Sequence, residues 1–348
     1  MIKTGIVGYG FAGRSFHSYL IGLAKGLTLS TIATRDPVRR AAAKVEQGVA
    51  TCETIDDLLK DEEIQLVVVA TPHDTHAPMA IQAMDAGKHV VVDKVMCLTA
   101  AEADAMIAAS ERNGVMLSVF HNRRWDWDFL TMKQLISDDL IGNPFLIETA
   151  VFRYRGLRTW RASKAQSGGL LYDWGAHLVD QALQLVLSEP ITVFCDGQKH
   201  LWHGDTEDHV KCLIRFENGT IFSAEVSNLA RIQKPRWYVL GTRGSAVKEG
   251  LDPQEPHMMR EEIDAAEEPA GHRTRVSTEL NGITTEMTLD SVRGSWTSYY
   301  QNISDVLNQG AELTVTPESV RRVMAVLDAA TVSMETGETV KVERKVVA

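Results

Sequence analysis

The fold is decided by the beginning of the chain, residues 2–13, which reads IKTGIVGYGFAG. Its first half is a short, apolar, β-branched run, and this predicts a strand over residues 2–8. Glycines follow at positions 8, 10 and 13, and a stretch compatible with a helix continues to about Lys25. A glycine turn between a strand and a helix allows a phosphate to approach the backbone, and the helix N-terminus supplies amide donors for it.

Each glycine of this turn has its own structural reason. Gly8 permits the tight turn, Gly10 leaves room for a pyrophosphate, and Gly13 lets the helix pack closely on the strand. The motif is specific only in its context, and here it follows a strand and opens a helix within a strand–helix–strand pattern. The alternative is a glycine-rich turn without a ligand. We predict a dinucleotide site formed by Gly8, Gly10, Phe11, Ala12 and Gly13.

Strands alternate with helices over the first third of the chain. The sequence predicts strands over 27–34, 64–70, 90–92 and 115–120, and helices over 12–25, 37–45, 55–59, 76–86 and 99–113. Residues 64–70 are nearly all apolar, as expected of a parallel strand covered on both faces. The protein is therefore predicted to be α/β, with a doubly wound Rossmann domain that binds a dinucleotide over residues 1–121.

The pattern changes after Phe120. The sequence predicts helices over 128–137, 169–188 and 318–335, and strands over 145–154, 191–196, 210–217, 220–227 and 237–241. The pair Asn218-Gly219 predicts a hairpin between two of these strands. We expect an α+β domain with a large, mainly antiparallel open sheet over residues 122–348. Residues 249–268 are acidic and lack periodicity, which favours a solvated excursion over a lid.

Composition excludes several classes of function. The net charge is −10, and a negative surface disfavours nucleic-acid binding. The apolar runs are strand-sized and too short to span a bilayer, and the N-terminus lacks the regions of a signal peptide. The four cysteines are scattered, without a CxxC pair, which indicates free thiols in a reducing compartment. We expect a cytoplasmic protein without a membrane partner and without a metal site.

The end of the second strand bears on the choice of cofactor. NAD-binding folds usually place an acid there on the ribose 2′-hydroxyl, whereas this strand ends in Thr34 and Arg35. A guanidinium pairs well with a 2′-phosphate, and Arg39 and Arg40 lie one helical turn further on. We therefore favour NADP over NAD. The alternative is that Asp36 holds the ribose of NAD and the arginines are solvated.

Two other stretches carry residues capable of chemistry. Lys94 follows a strand at the edge where open α/β sheets bind ligands, although an ordinary surface lysine is equally compatible with that position. In the segment 168–180, Asp173, His177 and Asp180 have the spacing of one helix face. A histidine beside carboxylates can hold a proton near neutral pH, as a general base requires, while a structural histidine is the alternative.

Taken together, these residues resemble the Gfo/Idh/MocA family of oxidoreductases over essentially the whole chain. The resemblance rests on the glycine turn, on Ala70-Thr71-Pro72 with His76 beyond it, on Asp93-Lys94, and on the glycine pair followed by Asp173, His177 and Asp180. The string 122–126, NRRWD, is similar to the branch of NADP-dependent scyllo-inositol dehydrogenases. Arg153-Tyr154-Arg155 and Trp160-Arg161 also fit that branch.

The resemblance implies reversible hydride transfer between nicotinamide and a secondary alcohol of a cyclic polyol or sugar. The family's catalytic lysine, aspartate and histidine fall on Lys94, Asp173 and His177, where His177 takes the hydroxyl proton, Asp173 orients substrate and Lys94 hydrogen-bonds the reacting oxygen. Which of Lys94 and His177 accepts the proton stays open. The resemblance adds Thr71, Pro72, His73, His76, Asp93, Lys94 and Asn122 to the cofactor site, and Arg153, Tyr154, Arg155 and Trp160 to the substrate site.

The chain departs from the family pattern at two positions. Val95 stands where the family has a proline that is commonly preceded by a cis peptide bond, and His73 stands where the family often has asparagine. Two alternatives to the dehydrogenase are a non-catalytic dinucleotide-binding regulator and a family enzyme on another substrate, such as a glycoside. The resemblance also implies a homodimer or homotetramer, because the open sheet leaves one face to be covered.

Overall fold

The computed structural model describes residues 1–344. Within it the chain forms two compact units. The first unit contains Met1–Asn122, Glu255–Asp264 and Ser295–Arg321, and the second contains Arg123–Gln254, Ala265–Gly294 and residues 322–344. Two segments of the first unit therefore come from beyond residue 121, where the sequence prediction placed the domain boundary.

The first unit is built on a parallel sheet. Its elements in chain order are β1 (Ile2–Val7), a π-helical turn (Gly13–His17), α1 (Ser18–Leu23), β2 (Leu27–Ala33), α2 (Pro37–Gln47), β3 (Ala50–Cys52), α3 (Ile55–Leu59), β4 (Leu66–Val69), α4 (His76–Asp85), β5 (His89–Val92), α5 (Ala100–Asn113) and β6 (Leu117–Val119). The strand order is β3-β2-β1-β4-β5-β6, and the recorded pairs are all parallel. The order reverses beside β1, and ligands of such sheets bind outside the carboxyl ends of the strands at that point.

Local sequence explains these elements. The four residues of β4 are completely buried, as a parallel strand covered on both faces requires. Asp36 caps α2 by accepting hydrogen bonds from Val38 N and Arg39 N. Thr99 and Glu102 form a capping box that begins α5. The predicted Rossmann domain is confirmed, with most element ends within two residues.

The second unit is built on a larger mixed sheet. Its elements are α6 (Trp127–Ser137), β7 (Pro144–Phe152), α7 (Lys164–Ser167), a π-helical turn (Leu171–Gly175), α8 (Ala176–Leu185), β8 (Pro190–Gln198), β9 (His209–Phe216), β10 (Ile221–Ser227), β11 (Trp237–Gly241), β12 (Gly244–Lys248), β13 (Thr274–Leu280), β14 (Ile283–Leu289) and β15 (Val340–Lys341). The order is β14-β13-β12-β11-β7-β10-β9-β8-β15. Strands β7 and β10 pair in parallel and the other recorded pairs are antiparallel, so the prediction of a mainly antiparallel sheet is confirmed.

The remaining helices are α9 (Gln254–Met258), α10 (Thr297–Gln309) and α11 (Pro317–Thr336). The predicted hairpin at Asn218-Gly219 joins β9 to β10, with Gly219 in the left-handed region at φ 88°. None of the helices within residues 1–344 combines the length and the apolar character needed to cross a membrane.

Two predictions about the second half were wrong. The helix predicted over 169–188 is shorter and irregular, because Gly169 has φ 97° and Leu170 N donates to the Glu207 carboxylate. Residues 249–268 are not simply a solvated excursion. Met258 and Ile263 are buried, and Ile263 N donates to the Tyr19 hydroxyl, so part of this segment packs within the first unit.

Candidate functional site

The glycine turn has the shape of a cradle. A Cβ atom on Gly8, whose φ is 100°, would lie 2.2 Å from the carbonyl oxygen of Ala70, and one on Gly13 would lie 2.1 Å from the carbonyl oxygen of Gly8. Neither position tolerates a side chain. A Cβ on Gly10 would meet only the Arg39 guanidinium, at 3.7 Å. The space beside Gly10 is therefore open, and this fits the close approach of a phosphate group.

The other residues predicted for the cofactor site at this end of the sheet come from the turn itself and from the end of β2. Phe11 is exposed and Ala12 half-buried. Thr34 is buried at the end of β2 and its carbonyl accepts from Arg40 Nη1 at 2.7 Å, while Arg35 and Arg39 are exposed.

Asp36 already has a structural partner set. Its Oδ1 accepts from Val38 N at 2.9 Å and from Arg39 N at 3.2 Å, and its Oδ2 lies 3.3 Å from Arg39 Nε. The carboxylate that could hold the ribose of NAD thus caps α2 and pairs with an arginine that lies beside Gly10.

His76 joins the segments that follow β4 and β5. Its Nδ1 lies 2.7 Å from the carbonyl oxygen of Val95, and its Nε2 lies 2.9 Å from that of Thr71. The side chain is completely buried, and burial lowers the pKa of His76 against the opposing influence of Asp93 and the two carbonyls. His76 therefore links the two segments through its two ring nitrogens. Pro72 is half-buried, and His73 is buried with its ring centroid 5.5 Å from that of His76.

Asp93 and Lys94 lie where β5 ends. Asp93 is buried, and its Oδ1 accepts from the backbone N–H of Lys94 at 2.9 Å. Burial alone would raise the pKa of Asp93, but His17, Lys94 and His76 together hold it well below its usual range. Lys94 is half-buried, and the peptide bond between Lys94 and Val95 is cis. Asn122 is buried at the end of the first unit's opening segment.

The second unit brings Asp173 and His177 into one cluster. Asp173 lies in the π-helical turn that precedes α8, and its Oδ1 is 3.4 Å from Arg161 Nε. His177, in the first turn of α8, is buried with its ring centroid 5.8 Å from that of Trp174. The Arg153 guanidinium also packs on this tryptophan, with its central carbon 4.2 Å from the centroid of the Trp174 ring. An imidazole and a guanidinium therefore pack on Trp174, while the neighbouring Asp173 carboxylate pairs with a second guanidinium.

The predicted substrate residues separate into two groups. Arg153 belongs to the cluster around Trp174, and Trp160 stacks with Arg161, whose guanidinium is 4.3 Å from its ring centroid. Tyr154 is exposed and packs against Trp202, at 5.3 Å between ring centroids, with Arg231 on its ring. Arg155 is exposed.

Asp180 is held by a partner that sequence reasoning did not identify. Arg124 Nη2 donates to Asp180 Oδ1 at 2.7 Å and Arg124 Nε donates to Oδ2 at 2.9 Å. Both side chains are buried. This bidentate pair fixes α8, which carries His177, to the turn at 122–125. Asp180 thereby has a structural role in the position of the helix.

Two further residues near α8 were missed from the sequence. Arg123 stacks on Trp174 at 4.3 Å, and Glu207 accepts from Leu170 N at 3.1 Å and lies 2.5 Å from Lys164 Nζ. The string of residues 122–126 was a signal for Arg123. Nothing local marks Glu207, because it accepts from Leu170, just after the glycine pair, across 37 residues of the chain.

Known proteins match this chain along its length. The sequence profile of the oxidoreductase family with an NAD-binding Rossmann fold matches residues 2–121, and that of the Gfo/Idh/MocA C-terminal domain matches residues 129–247. The uncharacterized oxidoreductase YdgJ of Escherichia coli is 34% identical over 94% of each chain. The scyllo-inositol 2-dehydrogenase (NADP(+)) IolW of Bacillus subtilis is 31% identical, over 98% of this chain and 96% of its own.

A solved structure gives the same result for the fold. The crystal structure of an oxidoreductase from Bacillus cereus superposes with a TM-score of 0.88 at 27% identity and covers the whole of both chains. Both sequence profiles together span most of the present chain, and the parallel and mixed sheets are those expected of their two domains. The chain therefore belongs to the Gfo/Idh/MocA family of oxidoreductases, with an NAD-binding Rossmann fold over residues 2–121.

Proposed function

We propose that this oxidoreductase prefers NADP(H) and interconverts a secondary alcohol and a ketone on a cyclic polyol or sugar, in the manner of a scyllo-inositol dehydrogenase. The observation that carries the proposal is the start of α8, where Asp173 and His177 stand four residues apart, Asp173 Oδ1 lies 3.4 Å from Arg161 Nε, and the His177 imidazole is buried against Trp174. The scyllo-inositol dehydrogenase of Bacillus subtilis supports the substrate class.

The open space beside Gly10 fits a dinucleotide, which the glycine turn, Thr34, Arg35 and Arg39 would hold, with Thr71, His73 and Asn122 further along the cofactor site. When bound, the nicotinamide supplies or accepts the hydride. In this proposal His177 takes the proton of the substrate hydroxyl and returns it in the reverse direction. Asp173 orients the substrate, and Lys94 donates a hydrogen bond to the reacting oxygen.

Substrate contacts follow from the same cluster. Arg153 and Trp160 lie next to Trp174 or Arg161 and are proposed to donate to hydroxyl groups or to form the apolar wall of the site. Tyr154 and Arg155 are proposed to contribute at its rim, because both are exposed. Hydroxyl recognition of this kind distinguishes substrates strongly, since a buried donor or acceptor left unpaired is costly.

The experiment that tests the proposal follows reduction of NADP and NAD at 340 nm over a panel of inositols, aldoses and a p-nitrophenyl glycoside. We expect NADP-dependent turnover with at least one inositol. Hydrolysis of the glycoside would instead support a redox glycosidase. Tight dinucleotide binding with no turnover on the whole panel would contradict the dehydrogenase and support a dinucleotide-binding regulator.

NADP preference is proposed to come from Arg35 and Arg39. Removing either guanidinium by substitution with alanine is expected to raise the KM for NADPH about 10- to 100-fold, because a hydrogen bond to a charged group contributes about 1.5–3 kcal/mol. The KM for NADH should change little, since NADH has no 2′-phosphate.

Asp36→Asn is the matched control for this cofactor assignment. Asparagine also caps helices well, so α2 should keep its N-terminus while the charge beside the ribose site is removed. Two results together would overturn the NADP assignment. If Asp36→Asn increases the KM for NADH, while Arg35→Ala and Arg39→Ala leave the KM for NADPH unaffected, then Asp36 contacts the ribose and the cofactor is NAD.

We also propose that the chain forms a homodimer or homotetramer through the open face of the second sheet. On β11, Trp237 is completely buried whereas its neighbour Tyr238 is 40% exposed, and successive side chains of a strand point to opposite faces. The face that carries Tyr238 thus exposes aromatic surface. A mass of about one chain by light scattering at micromolar concentration would remove this proposal.

A further inference from the structure

In the first unit, three buried polar side chains follow one another toward the backbone of Lys94. The Tyr300 hydroxyl, from α10, is 2.6 Å from His17 Nδ1, and His17 Nε2 is 3.5 Å from Asp93 Oδ1. Tyr300 and His17 are completely buried, and Asp93 is 7% exposed. We call these three residues the Tyr300–His17–Asp93 line.

Charge determines where the protons of this line reside. Burial favours the neutral form of Asp93, but His17, Lys94 and His76 outweigh it and hold the pKa of Asp93 well below its usual range, so the group is a carboxylate. The negative charge favours a proton on His17 Nε2, which faces Asp93 Oδ1 at 3.5 Å without making a hydrogen bond to it. Burial raises the pKa of Tyr300 well above its ordinary value, so its hydroxyl stays protonated and donates to His17 Nδ1.

The line ends at the backbone of Lys94. The same Oδ1 atom of Asp93 that faces His17 also accepts from Lys94 N at 2.9 Å. His17 is the last residue of the π-helical turn that begins at Gly13. One buried imidazole therefore connects the glycine turn, the end of β5 and α10, which are three separate parts of the first unit.

We propose that His17 is a positioning residue for the reaction: through Asp93 it fixes the backbone at Lys94 and maintains a negative charge beside it, while Tyr300 sets the tautomer of His17. The inference rests on the proposed function, in which Lys94 hydrogen-bonds the reacting oxygen. Asp93 is faced by His17 from the π-helical turn, by Lys94 from its own segment, by His76 from α4 and by Tyr300 from α10.

The test compares His17→Leu with His17→Gln in the purified full chain. Leucine cannot donate to Asp93, whereas the glutamine amide can. A carboxylate with a depressed pKa keeps its charge until the pH falls through that pKa, so losing the polar group that faces it moves the loss of charge to higher pH. That pH range lies below the one in which the enzyme is assayed, and activity therefore reports the position of Lys94. In His17→Leu we expect kcat to fall about 10- to 100-fold, because a small misplacement of a reacting group has an effect of this size. The KM for dinucleotide should stay near that of the wild type, and His17→Gln should restore kcat.

Tyr300→Phe keeps the proposal testable if His17→Leu does not fold, because it removes one oxygen and leaves the ring. It should lower kcat as well, by a smaller factor. If the variants fold with wild-type melting temperatures and the kcat values of wild type, His17→Leu and Tyr300→Phe coincide, the positioning role is refuted.

A measurement without substrate separates this inference from the proposed function. The ¹³C signal of the Asp93 carboxyl, assigned with Asp93→Asn, can be titrated in each variant. We expect the Asp93 carboxyl to titrate at higher pH in His17→Leu and at the wild-type pH in His17→Gln. That result supports the role of His17 in keeping Asp93 charged, even if the wild type shows no turnover on the panel. Identical titrations in wild type and His17→Leu would overturn it, whatever the activity.

Discussion

His177→Ala is expected to lower kcat by roughly 10²- to 10⁴-fold, the range that general acid–base catalysis contributes. The histidine lies in the first turn of α8, buried against Trp174, and Asp173 lies four residues earlier, in the π-helical turn. Deleting the imidazole removes the proposed proton acceptor but leaves the glycine turn unaltered. Steady-state kinetics with NADP and the best inositol of the panel would measure the loss, and the Kd for NADPH should remain close to that of the wild type.

Two comparisons make this result specific. His209→Ala removes another partly buried histidine of the second unit, which lies near Phe152 and Glu225, and should leave kcat nearly unchanged. Added imidazole should restore part of the activity of His177→Ala at neutral pH. If His177→Ala keeps more than about a third of the wild-type kcat, far less than the expected loss, then His177 is not the proton acceptor and Lys94 becomes the candidate.

Asp180→Ala is expected to lower the free energy of unfolding by about 3–5 kcal/mol, because it leaves the buried Arg124 guanidinium without its carboxylate. Urea denaturation followed by circular dichroism would measure the change. The large effect comes from the uncompensated charge rather than from the strength of the pair. The double variant Arg124→Met with Asp180→Leu should therefore be less destabilised than Asp180→Ala alone.

An exposed pair provides the control for this stability prediction. Arg112 and Asp85 form a salt bridge with both side chains about half exposed. Asp85→Ala should leave the urea midpoint close to that of the wild type, since solvent screens such pairs. If the urea midpoint falls no further in Asp180→Ala than in Asp85→Ala, the pair of Arg124 and Asp180 does not stabilise the position of α8.

The sequence predicted those parts of the fold that depend on neighbouring residues. The glycine turn, the apolar run of β4 and the hairpin at Asn218-Gly219 each have a local cause, and each was found where expected. Strands β13 and β14 were not predicted, because they are rich in polar residues and β14 is largely exposed. The break in the helix after Gly169 depends on Glu207, which no pattern near the glycine indicates.

The candidate site divides in the same way. Asp173, His177 and Lys94 were selected from short motifs, whereas their supports come from far along the chain. Arg124 reaches Asp180 across 56 residues, and His17 meets Tyr300 across 283. Such pairs are created by topology, and a single sequence carries no periodicity or spacing that reveals them. The supporting residues therefore required the structure.

The discontinuity of the first unit has a consequence for how this chain is made and how it can be recombined. Ser118 on β6 donates to the carbonyl of Val315, and the Tyr299 hydroxyl donates to Ser118, so the last strand of the parallel sheet is completed by residues translated almost two hundred positions later. During synthesis, the hydroxyl of Ser118 in the nucleotide-binding unit is paired only after nearly the entire chain has been translated. A gene fragment that stops near residue 121 would encode an unfinished module, and an exchange between relatives that preserves this half must carry both stretches.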